Sequence, residues 1–499
     1  MPGPGNAWPR ILDPAHNEID VTHAAAALLN PQRKCKGFNP HLIDAAKAYI
    51  IGKCSSNEVE EIQTRQPIIP QPSVDESLIG SLMACLDEEN SLGSSSNSSQ
   101  GSSTSVTSND NATTQLNHFL SNIIACSGPL HLSANLFTSA AMAMQEEVLL
   151  VTGGSGFLGL HCVNEALKAG YRVRATVRSV SNEKKVAPLK ALQGQERLEL
   201  VEADLLKPES WPAAVTGVSI ILHTASPYVA EQVADENVLI KPAVQGTLNV
   251  LNAAAESGGS VRRVVLTSSV EAIFGGHVSP QGRRFSEADW SDLEAPSITA
   301  YLKSKTLAEK AAWDFVKQLE GSKRFELAVI NPGFILGPML GSCQCTSADV
   351  VKRMQMGKLP MLPHMMMDSA DVRDVAKAHV IASHEPEAAG KRIIVANKTV
   401  WFKELGVILS NEFNRYGYSA PKREAPNCFM KMASWFDGSI RNILPRLSFQ
   451  YHMDNARMKE ILGMTETISL EKSLVDMGHS LIQLGYIPKK AAYSPPKIV

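Results

Sequence analysis

Residues Val148 to Ala169 read VLLVTGGSGFLGLHCVNEALKA, and few folds accommodate that string. An apolar β-branched run stops at three closely spaced glycines, and an amphipathic stretch follows, which spells strand, tight turn and helix. Gly153 permits the turn, Gly156 lets backbone amides approach a phosphate at the helix N-terminus, and Gly159 lets helix and strand pack closely. Spaced glycines alone are a weak signal. Here the strand before them and the helix after them supply the context that a dinucleotide pyrophosphate needs, so Gly153, Ser155, Gly156, Phe157, Leu158 and Gly159 are expected to contact the cofactor.

The alternation continues through Tyr171–Val177, Leu198–Leu205, Val218–Pro227, a helix over Val244–Glu256 and a strand ending at Ser269. Such a series predicts an α/β fold of the Rossmann type, with a doubly wound parallel sheet covered on both faces. Arg178 follows the second strand, nineteen residues beyond Gly159, where NAD-binding folds usually carry an acid for the ribose hydroxyls. A guanidinium there suits a 2′-phosphate, and Lys185 can add a second positive charge, which favours NADP(H) over NAD(H). A solvated surface pair is the plainer reading of these two side chains. Asp204 with Leu205 lies past the third strand and Ala225 past the fourth, positions from which they would meet the cofactor, or serve as ordinary loop residues.

Tyr301 and Lys305 sit four apart in ITAYLKSKTLAEKAAW, so one helix face carries both. An ammonium near a phenol favours the phenolate and is expected to lower the tyrosine pKa, readying Tyr301 to give its proton to a carbonyl oxygen while Ser269 hydrogen-bonds that oxygen. The same spacing recurs at Tyr49/Lys53, Tyr418/Lys422, Tyr486/Lys490 and Tyr493/Lys497. Proline interrupts the last three, and the first precedes the glycine loop.

Before Met142 no module or catalytic constellation is legible. Residues Ser91 to Thr114 are almost pure Ser, Asn, Thr and Gly, too polar to offset the entropy of ordering. Residues 1–144 are therefore expected to be a largely disordered extension with short helices near Asn39–Ile51 and Asp75–Leu86, and residues 145–499 the catalytic domain. The extension is either a natural regulatory or interaction segment or upstream sequence joined to an enzyme beginning at Met142 or Met144.

Lys+Arg 48 against Asp+Glu 50 gives a net charge of -2, which argues against nucleic acid or anionic lipid as partner. With no secretory start and no apolar run long enough to span a bilayer, cytoplasm is the expected location. The eight cysteines show no zinc-ligand spacing, Cys343 and Cys345 included, so no metal is expected.

The motifs VTGGSGFLG, YRVRATVRS, EADL, VRRVVLTSS, YLKSKTLAEKAAW, INPGFILGP and ADVRDVAKAH together resemble the extended short-chain dehydrogenases/reductases, in particular the dihydroflavonol 4-reductase-like group. That resemblance implies Ser269, Tyr301 and Lys305 as catalytic residues, with Lys305 also on the nicotinamide ribose and Arg178 and Lys185 on the 2′-phosphate. It further implies Pro332 beside the nicotinamide and a small C-terminal substrate lobe. The chain departs from its relatives at Phe274, where flavonoid reductases place a polar amide that grips substrate, and at ITAYLKSK, where cinnamoyl-CoA reductases read NWYCYGK. Sugar-nucleotide epimerases favour NAD and would not ask for Arg178. The expected activity is NADPH-dependent reduction of a moderately apolar aldehyde or ketone, with Phe274 in the substrate site. A non-catalytic NADPH sensor and a hydroxysteroid or sterol dehydrogenase are the alternatives. Phe334, Met339, Met361 and His364 to Met367 are pocket candidates whose commoner role is core packing, and in ADVRDVAKAH Asp374 reads as the helix N-cap and Arg373 as a structural partner for nearby carboxylates.

Overall fold

The computed structural model describes residues 147–226, 235–278, 280–343, 345–435 and 438–495. The expected extension and its helices lie outside the described residues. In chain order the first half contains β1 (Val148–Thr152), α1 (Phe157–Lys168), β2 (Arg172–Val177), α2 (Glu183–Lys190), β3 (Leu198–Glu202), α3 (Trp211–Val215), β4 (Val218–His223), α4 (Asn237–Ala255), β5 (Arg263–Thr267), α5 (Glu271–Phe274), β6 (Arg283–Phe285), α6 (Ala300–Lys317) and β7 (Glu326–Pro332). There follow β8 (Phe334–Leu336), α7 (Thr346–Gln355), β9 (Met366–Asp371), α8 (Val372–Ala382), β10 (Arg392–Val395), β11 (Lys398–Trp401) and α9 (Phe402–Phe413). Beyond these are α10 (Asn427–Ala433), α11 (Gly438–Ile443), β12 (Tyr451–Met453), α12 (Ala456–Glu460) and α13 (Leu470–Gln483).

Seven strands form one sheet in the order β10-β7-β5-β4-β1-β2-β3, and every neighbouring pair is parallel. The central strands are apolar on both faces because helices cover both: Leu149 and Val151 face one core cluster with α1 and α8, and Leu150 faces the other with α3, α4 and α6. The chain runs outward from β1 through β2 to β3 and returns on the other side at β4. That reversal opens a crevice at the carboxyl ends of β1 and β4, the place where open α/β sheets bind ligands. The doubly wound architecture read from the sequence is the observed one.

Residues after β7 supply a second layer. β8, β9 and β11 form a three-stranded sheet and β12 pairs with β6, which ties the chain's last quarter to the region just after β5. Met339, Met366 and Met367 are buried in the core clusters, the commoner of the two roles weighed for them, and Met365 is buried as well. His364 stacks on Trp401 at 4.1 Å and bonds Glu424.

Several boundaries differ from the sequence reading, with β3 ending at Glu202 and β4 at His223, short of the expected strands. α4 begins at Asn237 rather than Val244, because Pro242 falls soon after the first turn, where its missing N–H deprives only the Val238 carbonyl. β5 ends at Thr267, two residues before Ser269. The sequence reading takes Asp374 as the N-cap of the helix in ADVRDVAKAH; the cap is Asp371, whose carboxylate accepts from the Arg373 N–H at 2.8 Å. Asp374 instead accepts from the Ile468 N–H. Arg373 pairs with Asp371 and Asp476, the structural partnership expected of it.

Candidate active site

The glycine loop is built as its sequence demands. Gly153 holds φ at +66°, a conformation costly for any other residue, and its N–H donates to Thr176 Oγ1 at 2.9 Å. A Cβ on Gly159 would lie 2.2 Å from the Gly153 carbonyl oxygen, so α1 enters against the turn with no room for a side chain. The N-cap of α1 is Gly156, and no side chain caps the helix. Phe157 and Leu158 bury their side chains in the core, so what they can offer the crevice is backbone N–H, two of the donors a helix start leaves without internal partners. Open amides, a positive dipole end and no side chain in the way fit a pyrophosphate.

Arg178 is exposed immediately after β2 and makes no hydrogen bond or ion pair among the described residues, which suits a side chain kept for a ligand phosphate. Lys185 is more committed: its Nζ donates to the Ser342 carbonyl at 2.8 Å, so one of its three donors is already used. Asp204 is fixed in its loop, with its carbonyl accepting from Trp211 Nε1 and its carboxylate from the Leu206 N–H. Leu205 packs over Gly246, and its carbonyl accepts from Asn249 Nδ2 at 2.7 Å. The Cβ and Cα of Ala225 sit 3.0 and 3.1 Å from where a Gly153 Cβ would be, so the ends of β1 and β4 meet at the loop. Pro332 closes β7, and its carbonyl accepts from the Val270 N–H at 3.0 Å.

Tyr301 and Lys305 both lie in the first two turns of α6, whose start is set by Thr299 accepting from the Leu302 N–H. Lys305 Nζ donates to Ser226 Oγ at 3.1 Å and lies 6.0 Å from the centre of the Tyr301 ring. Ser226 follows Ala225, so a short path of contacts runs from the glycine loop to Lys305. Leu205, Ala225, Ser226, Ser268 and Lys305 line one small cavity, which places the strand ends and the helix around a common space. Ser269 Oγ accepts from the Glu271 N–H at 3.1 Å, and this leaves its own O–H to donate elsewhere.

The pKa expectation for Tyr301 is corrected. Tyr301 is 50% exposed, yet its phenol is pushed above the usual tyrosine value, first by the protein surrounding it in the cleft and then by the Glu271 carboxylate. Water reaching the exposed ring tempers the first influence, but both act in one direction. Lys305, partly buried, falls to about 8 because burial disfavours its ammonium. Sequence spacing shows that the lysine is near; it does not show a carboxylate arriving from α5.

The placement of Phe274 is corrected as well. It is 2% exposed, and its ring stacks on Tyr451 at 4.5 Å with the Arg446 guanidinium 4.9 Å from the ring centre, so it packs a core cluster rather than facing substrate. Glu271, three residues earlier, pairs with Arg446 at 2.9 Å and is the α5 side chain that the phenol feels. The rival tyrosines among the described residues have structural work: Tyr418 donates to the Pro488 carbonyl, Tyr486 to that of Cys343, and Tyr493 meets His479; Tyr49 lies outside the described residues. Cys345 caps α7 through its sulfur, 3.3 Å from the Ala348 N–H.

Residues 150–414 match the 3-beta hydroxysteroid dehydrogenase/isomerase family, more than half of the chain. The chain belongs to that family. It is an NADP-dependent oxidoreductase of the extended short-chain type, in the dihydroflavonol 4-reductase-like group. Cinnamoyl-CoA reductase 1 of Oryza sativa subsp. japonica is 35% identical over 360 residues, covering 71% of this chain and 95% of the relative. Tetraketide alpha-pyrone reductase 2 of Arabidopsis thaliana is 34% identical over 275 residues, covering 54% and 84%. Among solved structures, yeast methylglyoxal/isovaleraldehyde reductase Gre2 complexed with NADPH aligns with a TM-score of 0.57 at 27% identity, over 67% of this chain and 98% of that one. Among the described residues no helix is long and apolar enough to cross a membrane.

Proposed function

We propose that this oxidoreductase reduces an aldehyde or ketone to an alcohol with NADPH, using Tyr301 as proton donor. The observation that carries the reading is the placement of Lys305: bonded to Ser226 beside the glycine loop, four residues from Tyr301 on one helix, it connects the dinucleotide crevice to the Tyr301 phenol. The bound cofactor supplies hydride. The work of the chain is to hold the carbonyl and move one proton. The Ser269 O–H donates to the carbonyl oxygen and polarises it, while Tyr301, kept protonated by its raised pKa, delivers its proton to that oxygen as negative charge develops. The nearby Lys305 ammonium stabilises the phenolate that remains.

Two tests follow from the charges. With Lys305 at about 8, reduction is expected to hold its rate near neutrality and to decline as pH rises through about 8, because the ammonium is lost while the phenol stays protonated. A kcat/KM profile for reduction that rose across that range would contradict the assignment. Arg178→Asp replaces a phosphate partner by a repelling charge. It is expected to raise the Kd for NADPH by about a hundredfold and that for NADH far less, the loss of a charge-assisted bidentate contact plus repulsion. Unchanged cofactor preference would remove Arg178 from the site. The activity itself is checked by following NADPH consumption across aliphatic, aromatic and flavonoid carbonyls; tight NADPH binding without turnover on any of them would overturn the reading.

A further inference from the structure

Behind the catalytic side chains lies a charged cluster that sequence reading does not find. Glu309 follows Lys305 by one helical turn and Tyr301 by two, and it is 1% exposed. Its Oε1 accepts from Arg392 Nε at 2.5 Å and Trp313 Nε1 at 3.2 Å, and its Oε2 accepts from Ser268 Oγ at 2.5 Å and Asn331 Nδ2 at 2.9 Å. Asn331 Nδ2 also donates to the Ser269 carbonyl at 3.0 Å. Arg392, 6% exposed, comes from β10 and donates to the carbonyls of Ala272, Glu287 and Asp289, with its guanidinium 3.8 Å from the centre of the Trp290 ring.

One carboxylate thus joins the catalytic helix to the segment 268–272 that carries Ser269, through Ser268 and Asn331 on one side and Arg392 on the other. We infer that Glu309, held by Arg392, is a positioning residue that sets Ser269 in register with Tyr301 and Lys305. Burying an ion pair costs solvation that apolar residues of similar size would not cost, so general stability is a weak reason for it. What an apolar pair cannot do is accept directed hydrogen bonds from the residue before Ser269 and from the amide that holds the Ser269 carbonyl. Glu309 touches neither substrate nor cofactor in this account, and its influence passes through Ser269.

The inference rests on the proposed role of Ser269, and a double-mutant cycle separates the two. Glu309→Gln is expected to lower kcat about tenfold or more with the Kd for NADPH little changed, and in a Ser269→Ala background the same substitution is expected to cost under about threefold, since coupled residues do not add. Asn331→Ala cuts the link to the Ser269 carbonyl while leaving the ion pair whole, and it is expected to show the same loss and the same dependence on Ser269. This second variant decides the matter should Glu309→Gln fail to fold. An equal loss with and without Ser269, or no loss of kcat from either variant, would overturn the positioning role. Full turnover in Ser269→Ala alone would instead overturn the catalytic assignment of that serine.

Discussion

Tyr301→Phe is expected to lower kcat for carbonyl reduction by about a thousandfold, the usual scale for removing a general acid. The substitution deletes one hydroxyl from a ring that is half exposed, so the melting temperature and the Kd for NADPH should stay near those of the parent enzyme. Single-turnover kinetics at saturating NADPH make the measurement, because they isolate the chemical step from product release. A variant that keeps a tenth or more of the parent rate would mean that another group delivers the proton. Glu271 bears on the same step: its carboxylate helps keep the phenol protonated, which suits donation and hence the reducing direction.

Gly159→Ala is the second large effect. The added Cβ would sit 2.2 Å from the backbone oxygen of Gly153 and 3.1 Å from Thr224 Oγ1, and backbone cannot swing aside as a long side chain can. α1 would have to retreat from the turn, carrying with it the amides proposed to hold the pyrophosphate. Overpacking of this kind costs about 1–3 kcal/mol, which as lost binding alone corresponds to about a fivefold to 150-fold rise in the Kd for NADPH. Fluorescence titration with NADPH alongside a thermal melt measures both consequences. Parent-like values in each would show that the loop is not packed as described.

The difference between what the chain spells and what it hides is one of range. The glycine loop is legible because its constraint is local: a positive φ at Gly153 and a helix starting four residues later leave few residue choices. Tyr301 and Lys305 are legible because helical spacing fixes a shared face. Phe274 shows where such reasoning stops. Its offset from Ser269 is right for a family position, but α5 makes a single turn there, and which side of it meets Phe285, Phe449 and Tyr451 depends on residues far along the chain. The cap of α8 is a nearer failure of the same kind: two aspartates three apart both fit a helix start, and only the end of β9 selects Asp371. Arg392 meets Glu309 across 83 positions, and neither periodicity nor spacing announces the pairing.

The central claim is that hydride passes from a nicotinamide in the crevice to a carbonyl held by Ser269 and Tyr301. Turnover of a ketone with NADPH deuterated at the transferring position, followed by mass and NMR analysis of the alcohol, tests it directly. The account predicts deuterium at the carbinol carbon, on a single face, in every product molecule. An alcohol formed without that label, or labelled equally on both faces, would contradict it.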